Sequence, residues 1–290
     1  MEKLLKRTMI VVALCMPFGH EPAAQKKVTQ PPLRISMQNR IPSDSDEGAF
    51  TVNNTIENWK PYETAIIICD MWDKHWCRGA TARVAEMAPA MNELLDIARG
   101  KGVKIVHAPS DCMDYYKDYP GRKEAGKYKD KQIAGQADGS KLPSEANAVW
   151  PVDQSDEGCE EADCKPHRAW TRQTDLLTIK DEDLISDSGA ETGAYFKKKK
   201  IKNVILMGVH TNMCVIGRSF GLRAMKRMGM NVVLMRDMTD LMYNHEMPPY
   251  VNHFTGLDLM VEYIETYVCP SVVSTDFTGK KPFRFKEDKR

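Results

Sequence analysis

The chain is 290 residues long, enough for one or two domains. Its 41 lysines and arginines against 40 aspartates and glutamates leave a formal net charge of +1, which argues against a dedicated nucleic-acid binder with its basic excess. At 42% hydrophobic and 28% charged residues it has the composition of a globular protein with a sizeable core, not of a collagen-like, low-complexity or disulfide-dense chain.

Residues 1–25 carry Lys3, Lys6 and Arg7, then a short apolar stretch from Met9 to Met16, then Pro22-Ala23-Ala24. That order is the grammar of a secretory signal peptide and predicts export to the periplasm or the medium. A lipoprotein signal ending at Cys15 is a second reading, with the bulky Leu14 against it. An amphipathic extension of a cytosolic enzyme is the third. The apolar stretch is too short to span a bilayer, so no stable membrane span is expected. Residues 26–60 are polar and contain Pro31, Pro32 and Pro42, and read as a linker followed by a wrapping arm.

The main domain is expected over 61–276, with a basic tail at 277–290. Ala65–Cys69 is short, apolar and β-branched, as a buried strand requires. Residues 82–99 have helical spacing, blemished by Pro89 and stopped by Gly100 and Gly102. Further strands are predicted at Val103–Val106, Leu176–Ile179, Val204–Met207 and Val232–Met235. Helices are predicted from about Cys214 to Met228 and from Leu257 to Tyr267, and a last strand over Ser271–Ser274. Strand and helix alternate at a spacing that argues for a mostly parallel sheet with helices on both faces. Residues 112–170 interrupt it. They are polar, without clear periodicity, and a loop that long is either disordered or functional, often a lid. The run Lys197–Lys200 reads as the solvated end of a helix.

Removing Cys15 from the eight cysteines leaves seven, an odd number in an exported chain. Cys159 and Cys164 could close a small loop, and Cys77 with Cys112 is a weaker pair. No CxxC pair exists, which argues against a zinc ribbon.

In open parallel sheets, ligands bind beyond the carboxyl ends of the strands. Asp70, Lys180 and Cys214 each lie at or just past such an end. Singly they read as a helix cap, a solvated lysine and a core cysteine. Together they are an acid/base, a cation and a thiol. Cys214 follows a tight turn at the predicted start of a helix, where the dipole and a nearby lysine favour thiolate. The same turn could aim the amides of Met213 and Cys214 at an oxyanion. Trp72, Trp76, His210, Asn212 and Tyr243 are candidates for the substrate-pocket wall, against ordinary packing or capping.

Asp70 after IIIC, Lys180 after LLTI, and the block GVHTNMCVIGRSFGLRAMKRMGMNVVLMRD at 208–237 resemble the isochorismatase-like cysteine hydrolases, which include nicotinamidases. The likeness covers about residues 62–275 without the insert. It implies a three-layer α/β/α fold, an Asp70/Lys180/Cys214 triad, and hydrolysis of a small-molecule amide through a thioester, frequently in a homo-oligomer. It also implies a cis peptide near Val209-His210. Two other readings remain: an enol-ether hydrolase with Asp70 as general acid, and a non-catalytic binding protein on the same fold. The chain departs from the family after the first strand, where it reads Asp70-Met71-Trp72-Asp73-Lys74-His75-Trp76. It also lacks the metal-binding Asp-Trp-His element of nicotinamidases. His75, His107 and Asp111 could still gather a metal, but a satisfied polar cluster is favoured, and no metal or cofactor is expected.

Overall fold

Leu33, Ile35 and Met37 alternate with polar residues, and that period of two builds a strand where a linker and arm were expected. The computed structural model describes residues 30–46 and 48–290; the signal-peptide and Cys15 readings lie outside the described residues. Strand β1 (Leu33–Pro42) pairs antiparallel with β2 (Phe50–Trp59) in an edge hairpin. The inward side chains of β1 are buried, at about 2 kcal/mol each. Strand β2 is exposed along almost its whole length, its apolar Phe50, Val52 and Ile56 included.

The parallel body follows. Strand β3 (Thr64–Cys69) is buried at every residue. Helix α1 (Arg78–Lys101) buries Val84, Met87, Met91, Leu94 and Leu95 at helical spacing, and it accommodates Pro89. Gly102, left-handed at φ 90°, ends it. Strand β4 (Lys104–Ala108) comes next. The insert is built of short pieces: α2 (Met113–Tyr116), α3 (Pro120–Ala125), α4 (Lys131–Gln136) and a 3-10 turn at Pro143–Glu145. Such pieces are too short to leave a hydrophobic period in the sequence. The insert is nevertheless anchored. Glu145, wholly buried, pairs with Arg223 at 2.6 Å and accepts a hydrogen bond from Tyr263 at 2.9 Å.

The strand expected at Leu176–Ile179 does not form. The edge strand is β5 (Leu184–Ile185), two residues long and paired with β4 through Val106 and His107. Leu177 packs into the core from a loop, so the apolar run marked burial and not a strand. Helix α5 (Gly189–Lys199) ends in the lysine run, capped at its start by Ser188 accepting from the Glu191 amide. Strand β6 (Asn203–Val209) leads to the turn at Thr211–Val215. The expected helix 214–228 is broken there, and α6 covers only Leu222–Arg227. Strand β7 (Asn231–Asp240), helix α7 (His253–Tyr267), strand β8 (Ser271–Val272) and α8 (Thr275–Thr278) complete the order. The C-terminal segment is docked: Phe285 is buried and stacks on Phe254.

The eight strands run β2-β1-β8-β7-β6-β3-β4-β5. All pairs from β8 to β5 are parallel, and β1 is antiparallel to both its neighbours. Two apolar clusters, one on each face, hold helices against the sheet. The carboxyl ends of β3 and β6 lie side by side. Gly208 is required there: its φ is 109°, and a Cβ would stand 2.1 Å from the carbonyl oxygen of Cys69.

Candidate active site

Asp70 leaves β3 in a left-handed conformation, φ 47°, which aspartate tolerates better than most residues. Its carboxylate is wholly buried. Oδ1 accepts from the Ser110 amide at 2.6 Å, and Oδ2 faces Nε of Arg218 at 3.4 Å. Cys214 comes from the adjacent strand end, β6, carried on the turn Thr211–Val215. The Val215 amide reaches back five residues to the His210 carbonyl at 3.1 Å, a π-type turn. The Val209–His210 peptide is cis, at the place the resemblance implied.

The electrostatics couple three groups. Burial pushes the Cys214 thiol well up; the Asp70 carboxylate adds to the rise and the Arg218 guanidinium opposes it. Burial also raises the Asp70 carboxyl, again against Arg218. Thiol and carboxyl thus compete for a proton in a largely desolvated place beside a permanent cation. The expected thiolate at a helix start is not what the turn provides. Cys214 sits inside a five-residue turn, and desolvation outweighs the favourable charge.

Lys180 is not part of this group. Its Nζ pairs with Asp96 of α1 at 2.8 Å, and its side chain is 42% exposed. With no strand at Leu176–Ile179, nothing carries Lys180 to a strand end. Arg218 stands where that cation was expected, and also meets Asp111 at 3.5 Å. It lies four residues after Cys214, a spacing that places two side chains on one face of a helical segment.

The pocket-wall candidates divide. Trp72 is buried, stacks on Trp170 with ring centroids 4.2 Å apart, and donates its indole N–H to the Ser110 carbonyl at 3.2 Å. Trp72, Cys112, Tyr116, Ile185, Trp170 and Cys214 pack as one cluster. His210 is buried edge-on to His75, with centroids 5.1 Å apart. Burial drives His210 well below the usual histidine range, and burial with Arg83 lowers His75 to about 4. Both imidazoles are therefore neutral at pH 7. Trp76 packs behind, beside His75 and the Cys77–Cys159 cluster. Asn212 and Tyr243 are structural. Asn212 brackets the backbone of Met242, donating at 2.8 Å and accepting at 3.1 Å, which fastens the Thr211–Val215 turn to the segment after β7. Tyr243 is fully buried and donates to the Met247 carbonyl at 2.7 Å. The Met213 amide, expected as an oxyanion donor, is turned onto the His210 carbonyl at 3.0 Å.

His75, His107 and Asp111 are not gathered. His107 is held by Gln173 at 2.8 Å and Asp183 at 3.2 Å, and Asp111 faces Arg218. Cys77 and Cys112 belong to different clusters. Three buried polar atoms around the site, Ser110 Oγ, Trp170 Nε1 and His210 Nε2, have no hydrogen-bond partner among the described residues. The reading from residue order missed Ser110, Trp170 and Arg218. Only the four-residue spacing of Arg218 from Cys214 carried a signal.

Among the described residues no helix is long and apolar enough to cross a membrane. The family model for the isochorismatase domain matches residues 64–246, more than half of the chain. No curated protein sequence matches significantly. Among solved structures, the chain is similar to a cysteine hydrolase from Pseudomonas syringae pv. phaseolicola 1448A, at 16% identity over 74% of this chain and 91% of that one, with a TM-score of 0.46. It is also similar to an isochorismatase-like hydrolase from Alkaliphilus metalliredigens, at 18% identity over 71% and 90%, with a TM-score of 0.37. With its mostly parallel eight-stranded sheet between helical layers, and the domain match spanning both Asp70 and Cys214, the chain belongs to the family of isochorismatase-like hydrolases.

Proposed function

We propose that the chain hydrolyses a small-molecule amide through a thioester on Cys214. The observation that carries this reading is the meeting of a buried carboxylate, a thiol and a guanidinium at the ends of β3 and β6. In the resting state burial keeps the thiol protonated, so Asp70 is needed as the base. Asp70 takes the Cys214 proton and the sulfur attacks the carbonyl carbon. Asp70 then returns the proton to the departing amine as the C–N bond breaks. Water adds to the thioester, giving its proton to Asp70, and the acid leaves as the thiol is restored. Arg218, in place of Lys180, balances the charge that moves between sulfur and carboxylate. As arginine it stays charged throughout and takes no part in proton transfer. The Cys214 amide remains the backbone donor for the oxyanion. Ser110, Trp170 and His210 supply unpaired polar atoms for the substrate's own groups, and the Trp72–Trp170 pair supplies a flat apolar wall suited to a planar acyl group.

One observation favours enol-ether hydrolysis as the second reading: a carboxyl raised by burial is suited to act as a general acid. Two measurements separate the readings. A screen of small amides with the wild-type chain and Cys214→Ala should show turnover lost in the variant. Mass spectrometry of the acid-quenched wild type should find an acyl group on Cys214. Undiminished amide turnover by Cys214→Ala, with no adduct in the wild type, would overturn the thioester mechanism.

A further inference from the structure

A second group of sulfurs lies away from Asp70, at the start of α1. Cys77 precedes the first residue of that helix, and Cys159 and Cys164 arrive from the insert. Glu161 Oε2 stands 3.1 Å from the Cys77 sulfur, 3.1 Å from the Cys159 sulfur and 3.9 Å from the Cys164 sulfur. The ligand atoms of Cys77, Cys159 and Glu161 all lie within 4.8 Å of one another, and Cys164 stands just outside that group. Tetrahedral zinc, with Zn–S of about 2.3 Å and Zn–O of about 2.0 Å, separates a sulfur and an oxygen ligand by about 3.5 Å. The spacing here brackets that edge. A Cβ at Gly79 would stand 2.8 Å from Glu160 Oε1 and 3.2 Å from Glu161 Oε1, so the glycine leaves room for both insert carboxylates at the helix start.

We propose that Cys77, Cys159 and Glu161 form a structural zinc site that fastens the insert to α1, with Cys164 closing on it as the fourth ligand. Three thiolates and one carboxylate are a donor set that suits zinc and disfavours magnesium or calcium. Binding releases the three thiol protons to solvent, while the carboxylate enters already ionised. Arg78 and Arg83 of the same helix pair with the insert's Asp163 and Glu160, and Arg83 also with Asp240, so these ion pairs tie the same stretch of the insert to α1. Cys77, Cys159 and Met242 are buried together, with Trp76 and Met213 packed against them, so the site backs directly onto the nucleophile turn. No CxxC spacing betrays it, because the ligands come from two distant segments. The proposal is independent of the chemistry at Cys214.

The test uses the full chain, reduced, stripped of metal and reloaded with zinc. Elemental analysis after gel filtration should find about one zinc per chain. Cobalt loaded instead should give the absorption of a tetrahedral thiolate site. Cys159→Ser and Glu161→Gln should each weaken zinc by about tenfold or more, while Cys214→Ala and Cys269→Ser keep it. If Cys159→Ser fails to fold, the more exposed Cys164→Ser replaces it, with folding checked by circular dichroism. Zinc well below one per chain after reloading, or equal zinc in the ligand variants, would overturn the proposal. So would a peptide map of the unreduced chain joining Cys77 to Cys159, or Cys159 to Cys164.

Discussion

Cys214 and Cys159 each face a carboxylate, yet their surroundings assign them different chemistry. At Cys214 a carboxylate and a guanidinium stand beside the sulfur, all from the ends of adjacent core strands or the turn that follows, with the buried Cys69 thiol also against Asp70. At Cys159 three sulfurs converge on one carboxylate oxygen, and the arginines nearby are occupied by other acids. A thiol beside a carboxylate and a fixed cation suits the proton transfer and attack proposed above. Several thiols around a carboxylate are arranged to share a cation. What separates the two is the identity and number of partners, since both thiols are pushed up by burial.

The comparison breaks first at the nucleophile. Cys214→Ala should lower kcat/KM for an amide substrate by about 10³-fold or more, with unchanged zinc content. Equal turnover in the variant would assign the chemistry elsewhere. Next comes the cation. Arg218→Met should cost about 10²-fold in kcat, because it leaves Asp70 and the developing charge without their guanidinium. A loss confined to KM would make Arg218 a substrate-binding group only.

A third carboxylate, Asp183, sharpens the contrast, since it has cationic and imidazole partners and no thiol. Burial raises its carboxyl, but His107 and Arg99 hold it down at about 2, below the ordinary 3.8. A depressed folded-state value means stability that is present above about pH 4 and lost as pH falls through about 2. The difference amounts to roughly 2 kcal/mol, so Asp183→Asn should flatten that part of the acid-unfolding profile. A variant with the same acid limb as wild type would remove Asp183 from the account. The smallest effect is expected at Lys180. Its exposed pair with Asp96 contributes little, and Lys180→Ala should change kcat/KM by less than about twofold. A loss comparable to that of Arg218→Met would restore the triad read from residue order.

Both ends of the legibility scale occur in this chain. Ala65–Cys69, Val204–Met207 and Val232–Met235 are strands because a central parallel strand is buried on both faces and reads as an unbroken β-branched run. Leu176–Ile179 has the same look and is a loop, since a short apolar run reports burial and not hydrogen-bonding partners. The hairpin at 33–59 had a signal, the alternation of Leu33, Ile35 and Met37, hidden among prolines and polar residues.

The sequence by itself determined the α/β class and the places of Asp70 and Cys214, because strand ends are local features and a parallel sheet puts them together. It could not choose the cation. Lys180 and Arg218 are equally charged in a linear chain, and only the absence of a strand before Lys180 sends it to the surface. Nor could it join Cys77 to Cys159, Glu161 and Cys164. Contacts between a helix start and a distant insert depend on how that insert packs, and this is fixed by buried pairs such as Glu145–Arg223 that no local pattern encodes.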